Sequence, residues 1–176
     1  ARLYRFCRFV DDLVDEAADV DAAEIELDFL KRDLELGYSS EPVVKDFITL
    51  AGQCQMQSDV ILELIRGVES DLQPVLIGTD AELLRYCYRV AGTVGLLMCD
   101  VLGVHDPKAK AHAIDLGIGM QLTNIARDVQ EDARMGRRYI PGHWLGDIPP
   151  QALSNPSTRE SELLAESAQR VLSLAE

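Results

Sequence analysis

Apolar residues recur at helical spacing, i, i+3, i+4, i+7, in almost every segment of this 176-residue chain, and no run alternates with the period of a strand. That periodicity confines the fold to the all-α class. Helical segments are expected over about residues 3–18, 22–36, 42–54 and 59–72, with Pro42 in a first turn and a break at Gly37-Tyr38-Ser39-Ser40. A cap at Thr79 or Asp80, three residues before Glu82 or Leu83, opens a helix expected to run unbroken to Gly103. Asp106 followed by Pro107 opens another, which ends near Gly136. The stretch "RRYIPGHWLGDIPPQALSNPS" is loop-rich, and the last segment returns to helix. The chain starts inside a patterned segment without a helix-start signal and stops inside one without a stop signal. It therefore reads as one partial domain, residues 1–176, of a longer protein.

Length and apolar content suffice for one core. The net charge of -13 excludes a phosphate-backbone binder, which needs clustered Lys and Arg. It leaves polyanionic small ligands open, because divalent cations invert local charge. The four Cys form no Cys-x-x-Cys pair and lie largely in apolar runs, as buried thiols of a cytoplasmic protein would. The start, "ARLYRFCRFVDD", has no apolar leader region. The most apolar stretch, residues 90–104, carries Asp100 and is too short to span a bilayer, and peripheral membrane association stays open.

The stretch "FCRFVDDLVDE" crowds Asp11, Asp12, Asp15 and Glu16 beside an apolar run. Asp11 and Asp15 share a helix face, as do Asp12 and Glu16, and each like-charged pair costs about 0.2–0.5 kcal/mol. Taken by itself, such a cluster suits a solvated acidic edge. "NIARDVQEDARMGRRY" repeats the device with Asp128 and Asp132, and Arg8, Arg127 and Arg137 attend the two clusters. Paired carboxylates without His or Cys suit Mg²⁺ or Mn²⁺ and suit zinc poorly. Arginines beside them can bind diphosphate as forked donors. The chemistry implied is metal-assisted ionisation of an allylic diphosphate to a carbocation. Arg8, Asp11 and Asp15 are expected on one face, with Asp12 and Glu16 off it. Gln121 and Asn124 roughly share the face of Asp128, and Tyr86 brings a phenol that can stabilise a cation or relay a proton. Ala91, Gly92, Gly95, Gly117 and Gly119 thin two helices, either for close packing or to leave a slim wall beside a long apolar ligand.

Three stretches, "YRFCRFVDDLVDE", "YCYRVAGTVGLLMCDV" and "LGIGMQLTNIARDVQEDARMGRRYIP", together resemble the squalene and phytoene synthase family of head-to-head prenyl synthases, over nearly the whole chain. The resemblance implies an isoprenoid (terpenoid) synthase fold, helices around a central apolar cavity, and Mg²⁺-dependent condensation of two prenyl diphosphates through a cyclopropyl diphosphate. It makes Asp11, Asp15, Asp128 and Asp132 metal ligands and Arg8, Arg127 and Arg137 diphosphate contacts. Gln121 and Asn124 fall beside the second metal cluster, Tyr86 at the cation, and Tyr4 near the diphosphates. The wording of the second and third stretches is most similar to bacterial phytoene synthases, which implies geranylgeranyl diphosphate as substrate and no nicotinamide cofactor. A squalene- or dehydrosqualene-type enzyme using farnesyl diphosphate is the alternative within the family. A non-catalytic relative serving assembly or lipid binding is the alternative outside catalysis. Family members usually extend further at both ends, so a chain of this length would itself be inactive if isolated. Oligomeric state is not legible.

Overall fold

The computed structural model describes residues 1–146 and 148–175. Its elements are α1 (Arg2–Asp15), α2 (Val20–Leu36), α3 (Pro42–Cys54), α4 (Ser58–Glu69), α5 (Asp80–Cys87), α6 (Thr93–Val101), α7 (Pro107–Arg134), the single-turn α8 (Gly142–Leu145) and α9 (Pro150–Leu153), and α10 (Thr158–Ala175). A 3₁₀ turn, Ser70–Leu72, follows α4. Among the described residues there is no strand, only an isolated bridge between Leu76 and Arg138. The all-α expectation holds.

Caps account for most boundaries. Thr79 accepts from the Glu82 N–H while the Glu82 carboxylate accepts from the Thr79 N–H, a reciprocal box that starts α5. Asp106 accepts from the Lys108 N–H ahead of Pro107 at the start of α7. Gly37 closes α2 in the left-handed region at φ 64°. Two expectations need correction. The first helix stops at Asp15, three residues early. The helix expected to run to Gly103 is broken at Tyr88–Gly92, where the backbone widens into a π turn between α5 and α6.

The glycines resolve the question of packing against slim wall. A Cβ on Gly117 would fall on the Ala91 carbonyl, 2.7 Å from its carbon, and one on Gly95 would fall on the Ala113 carbonyl, 2.8 Å from its carbon. At these two positions the missing side chain lets α7 press backbone to backbone against α6 and the π turn. The widened turn and Gly117 therefore belong to one contact.

Two apolar clusters fill the fold. One joins α1 to α4 through Leu3, Phe6, Val10, Leu27, Phe47 and Ile65, with Phe6 stacked on Phe47. The other joins α5, α7, α10 and the 139–153 region through Leu83, Leu122, Ile125, Ile140, Leu153 and Val171. The segment after Arg134 is tied down by backbone hydrogen bonds. Arg138 N–H donates to Val75 O at 2.7 Å, Ile77 N–H to Arg138 O at 3.0 Å, and Gly142 N–H to Ile77 O at 2.8 Å. These bonds deliver Tyr139 to the end of α4.

Candidate active site

At the seam of the two clusters lies a cleft of about 200 Å³. Val14 and Val68 border it from the first cluster, Ile125 and Tyr139 from the second. Asp11 and Asp15 enter from the C-terminal turn of α1, Asp128 and Asp132 from the last two turns of α7. The two acidic faces, more than a hundred residues apart in the chain, thus line one space. Gln121, Asn124, Tyr86 and Arg137 line it too. Eight of the eleven residues singled out in the sequence are brought together.

The other three are placed elsewhere. Tyr4 is 72% exposed and does not line the cleft. Arg8 reaches forward one turn to Asp12, at 2.7 Å, rather than to Asp11. Arg127 folds back on its neighbour Asp128 through two hydrogen bonds of 2.7 and 2.6 Å, with most of its side chain in solvent. Asp12, set aside as off the face, is the partner of Arg8. Glu16 caps the exposed end of α1.

Two cleft residues escaped the sequence reading. Asp71 stands in the 3₁₀ turn after α4, and Tyr139 follows Arg137 by two. Tyr139 lay inside the quoted "RRYIP", as the tyrosine of an Arg-x-Tyr-x-Pro run that carried the family resemblance, but was given no role of its own. Asp71, two residues after Glu69 and shortly before Pro74, gave no signal by spacing. The Tyr86 hydroxyl donates to Asp71 Oδ2 at 2.9 Å and the Tyr139 hydroxyl to Oδ1 at 2.8 Å. The two rings stack with centroids 4.6 Å apart.

The cleft holds more negative charge than its protein partners balance. Burial, then the charge of Asp15, pushes Asp11 up to about 6, with Arg8 opposing. Burial, then the charge of Asp128, pushes Asp132 up to about 6, with Arg137 opposing. Asp71 is also raised by burial, against the hydrogen bonds from Tyr139 and Tyr86. Asp128 is lowered, because Arg127 donates to it. Among the described lining residues Arg137 supplies the positive charge, through a 3.1 Å contact with Asp15 that spans the seam. No three His, Cys, Asp or Glu side chains among the described residues close on a common point. The donor set is therefore oxygen-only and open. Such a set matches a hard cation that keeps waters and takes further oxygens from phosphate, and it does not match a closed zinc cage. Burial and mutual repulsion raise Asp11 and Asp132, and a bound cation would offset both effects.

The squalene/phytoene synthase family model matches residues 1–176. A 15-cis-phytoene synthase of Enterobacter agglomerans is 33% identical over 187 aligned positions, covering 99% of this chain and 63% of that protein. A 15-cis-phytoene synthase of a Paracoccus species is 39% identical, covering 81% of this chain and 50% of that protein. Among solved structures, a dehydrosqualene synthase in complex with ligand superposes with a TM-score of 0.80 at 30% identity, over 98% of this chain and 62% of that one. The chain thus spans about half to under two-thirds of these relatives.

Proposed function

The chain belongs to the squalene/phytoene synthase family, and from that premise we propose that the protein carrying it condenses two molecules of geranylgeranyl diphosphate head to head, through a cyclopropyl (prephytoene) diphosphate, to phytoene in carotenoid biosynthesis. The observation that carries the reading is the meeting of Asp11 and Asp15 with Asp128 and Asp132 across one cleft that also holds two phenols. The choice of the longer diphosphate rests on the similarity to proteins named as phytoene synthases.

Asp11 and Asp15 would hold Mg²⁺ or Mn²⁺ from one side and Asp128 and Asp132 from the other. Bound there together with diphosphate oxygens, the ions would supply the positive charge that stabilises the leaving diphosphate. Arg137, already inside the cleft, is placed to donate a forked pair of hydrogen bonds to phosphate. Arg8 and Arg127 take part by exchanging Asp12 and Asp128 for phosphate oxygens. Gln121 and Asn124 offer amide N–H donors two turns and one turn before Asp128. Tyr86 and Tyr139 offer electron-rich rings to a carbocation. Val14, Val68 and Ile125 keep water away from it.

A second reading is a dehydrosqualene-type enzyme that uses farnesyl diphosphate, favoured by the superposition on a dehydrosqualene synthase. Incubating the protein with each diphosphate and Mg²⁺, with and without chelator, and identifying the hydrocarbon decides between them. Phytoene from the geranylgeranyl substrate, lost with chelator, is expected. Exclusive turnover of the farnesyl substrate would refute the phytoene assignment, and full activity in chelator would refute the metal.

A further inference from the structure

Asp71 lies outside both Asp-x-x-x-Asp pairs, yet among the described carboxylates of the cleft it is the one that accepts from two different residues. Each of its oxygens accepts one phenol, Tyr86 at 2.9 Å and Tyr139 at 2.8 Å. Three independent devices converge on this arrangement. The 3₁₀ turn after α4 presents the carboxylate, the start of the π turn follows Tyr86 by two residues, and the backbone bonds between 75–77 and 138–142 seat Tyr139. The rings then stack at 4.6 Å with an interplanar angle of 29°. Arg137, which reaches Asp15, lends its charge to Asp71 as well.

A phenol has one proton. When it is donated to a carboxylate, the oxygen has only lone pairs left for any other partner, and the ring becomes more electron-rich. Both tyrosines are committed in this way to the same acceptor. We propose that Asp71 is a positioning residue for the condensation, which holds Tyr86 and Tyr139 as a stacked pair that meets the substrate as cation-stabilising acceptors and not as proton donors. The inference rests on the prenyl-transfer reading of the cleft and assigns Asp71 no direct contact with substrate or metal.

Asp71→Asn is the test, since an amide of the same shape accepts through Oδ1 and donates through Nδ2, so that one phenol must turn its proton elsewhere. With the protein and its prenyl diphosphate, kcat should fall about tenfold or more while KM changes less than about threefold. In a Tyr86→Phe, Tyr139→Phe background the same change should add less than about twofold, because Asp71 would have nothing left to orient. An equal loss in both backgrounds would overturn the proposal by showing that Asp71 acts directly. Ultraviolet resonance Raman spectra of the tyrosine doublet, which report whether a phenol donates or accepts, give a readout without turnover. Asp71→Asn must remove a strong-donor contribution, and an unchanged doublet refutes the arrangement. If that variant does not fold, Tyr86→Phe and Tyr139→Phe must each remove one strong-donor contribution, and failure of either refutes it. Absence of turnover by the unaltered protein with any prenyl diphosphate would instead refute the prenyl-transfer reading, and with it the catalytic use of the pair.

Discussion

Replacing Gly95 by Ala tests whether the small residues of α6 and α7 serve contact or space. An added Cβ would meet the Ala113 carbonyl carbon at 2.8 Å, whereas ordinary contact begins at 3.4 Å. The helices must therefore part by at least about 0.6 Å, or the α6 backbone must rotate. Overpacking costs about 1–3 kcal/mol, and a clash with helix backbone belongs to the upper part of that range, about 2–3 kcal/mol. Removing a mid-helix glycine returns about 1 kcal/mol of helix propensity. A net loss of about 1–2 kcal/mol should lower Tm by roughly 2–8 °C in a chain of this size. Gly52→Ala is the control. It lies inside α3 with nothing within 4 Å of the added atom, so the propensity gain stands alone and Tm should rise by a few degrees. Thermal unfolding followed by circular dichroism reads both variants under one condition. If Gly95→Ala matched or exceeded the unaltered protein while Gly52→Ala behaved as expected, the close-contact argument would fail and the slim-wall reading would return.

Other outcomes follow from the cleft. Asp128→Asn combined with Asp132→Asn should reduce prenyl-diphosphate turnover by about a hundredfold or more and weaken Mn²⁺ binding seen by calorimetry; retention of both would remove α7 from the metal site. Arg137→Ala should impair turnover and diphosphate binding far more than Arg127→Ala, since Arg137 is 16% exposed in the cleft and Arg127 68% exposed; steady-state kinetics would show the ranking. The raised Asp11 binds its proton more tightly folded than unfolded, so without metal its contribution to stability is lost as pH rises from 3.8 to about 6. Asp11→Asn escapes that loss. In chelator its stability relative to the unaltered protein should climb through this window and level off above it, as denaturant titrations at several pH values would reveal. A flat difference would show Asp11 to be unperturbed.

What could be read in the sequence was what local chemistry decides. Pro42, Thr79 with Glu82, and Asp106 with Pro107 announced helix starts that the structure keeps, because a cap is settled within four residues. The Asp-x-x-x-Asp spacing told which carboxylates share a face, because one helical turn sets it. The break at Tyr88–Gly92 was hidden, since the segment packs on the backbone of α7 at Gly117, a contact that no spacing within it reports. The arginines stand apart for a related reason. A spacing that points Arg8 toward Asp11 leaves Asp12 equally near, and the exposed side chain takes that partner.

Asp71 and Tyr139 mark the boundary of such reading most clearly. They are 68 residues apart, neither has a periodic neighbour that repeats its role, and their meeting depends on a parallel bridge between two segments outside the helices. The acidic pairs announce themselves because each repeats one spacing on one helix face. A positioning carboxylate needs no such repeat, and its reason appears only when the two phenols that bind it are in place. The acidic residues that line this cleft were therefore legible in the chain, while Asp71, which accepts from both phenols, became visible only through tertiary contact.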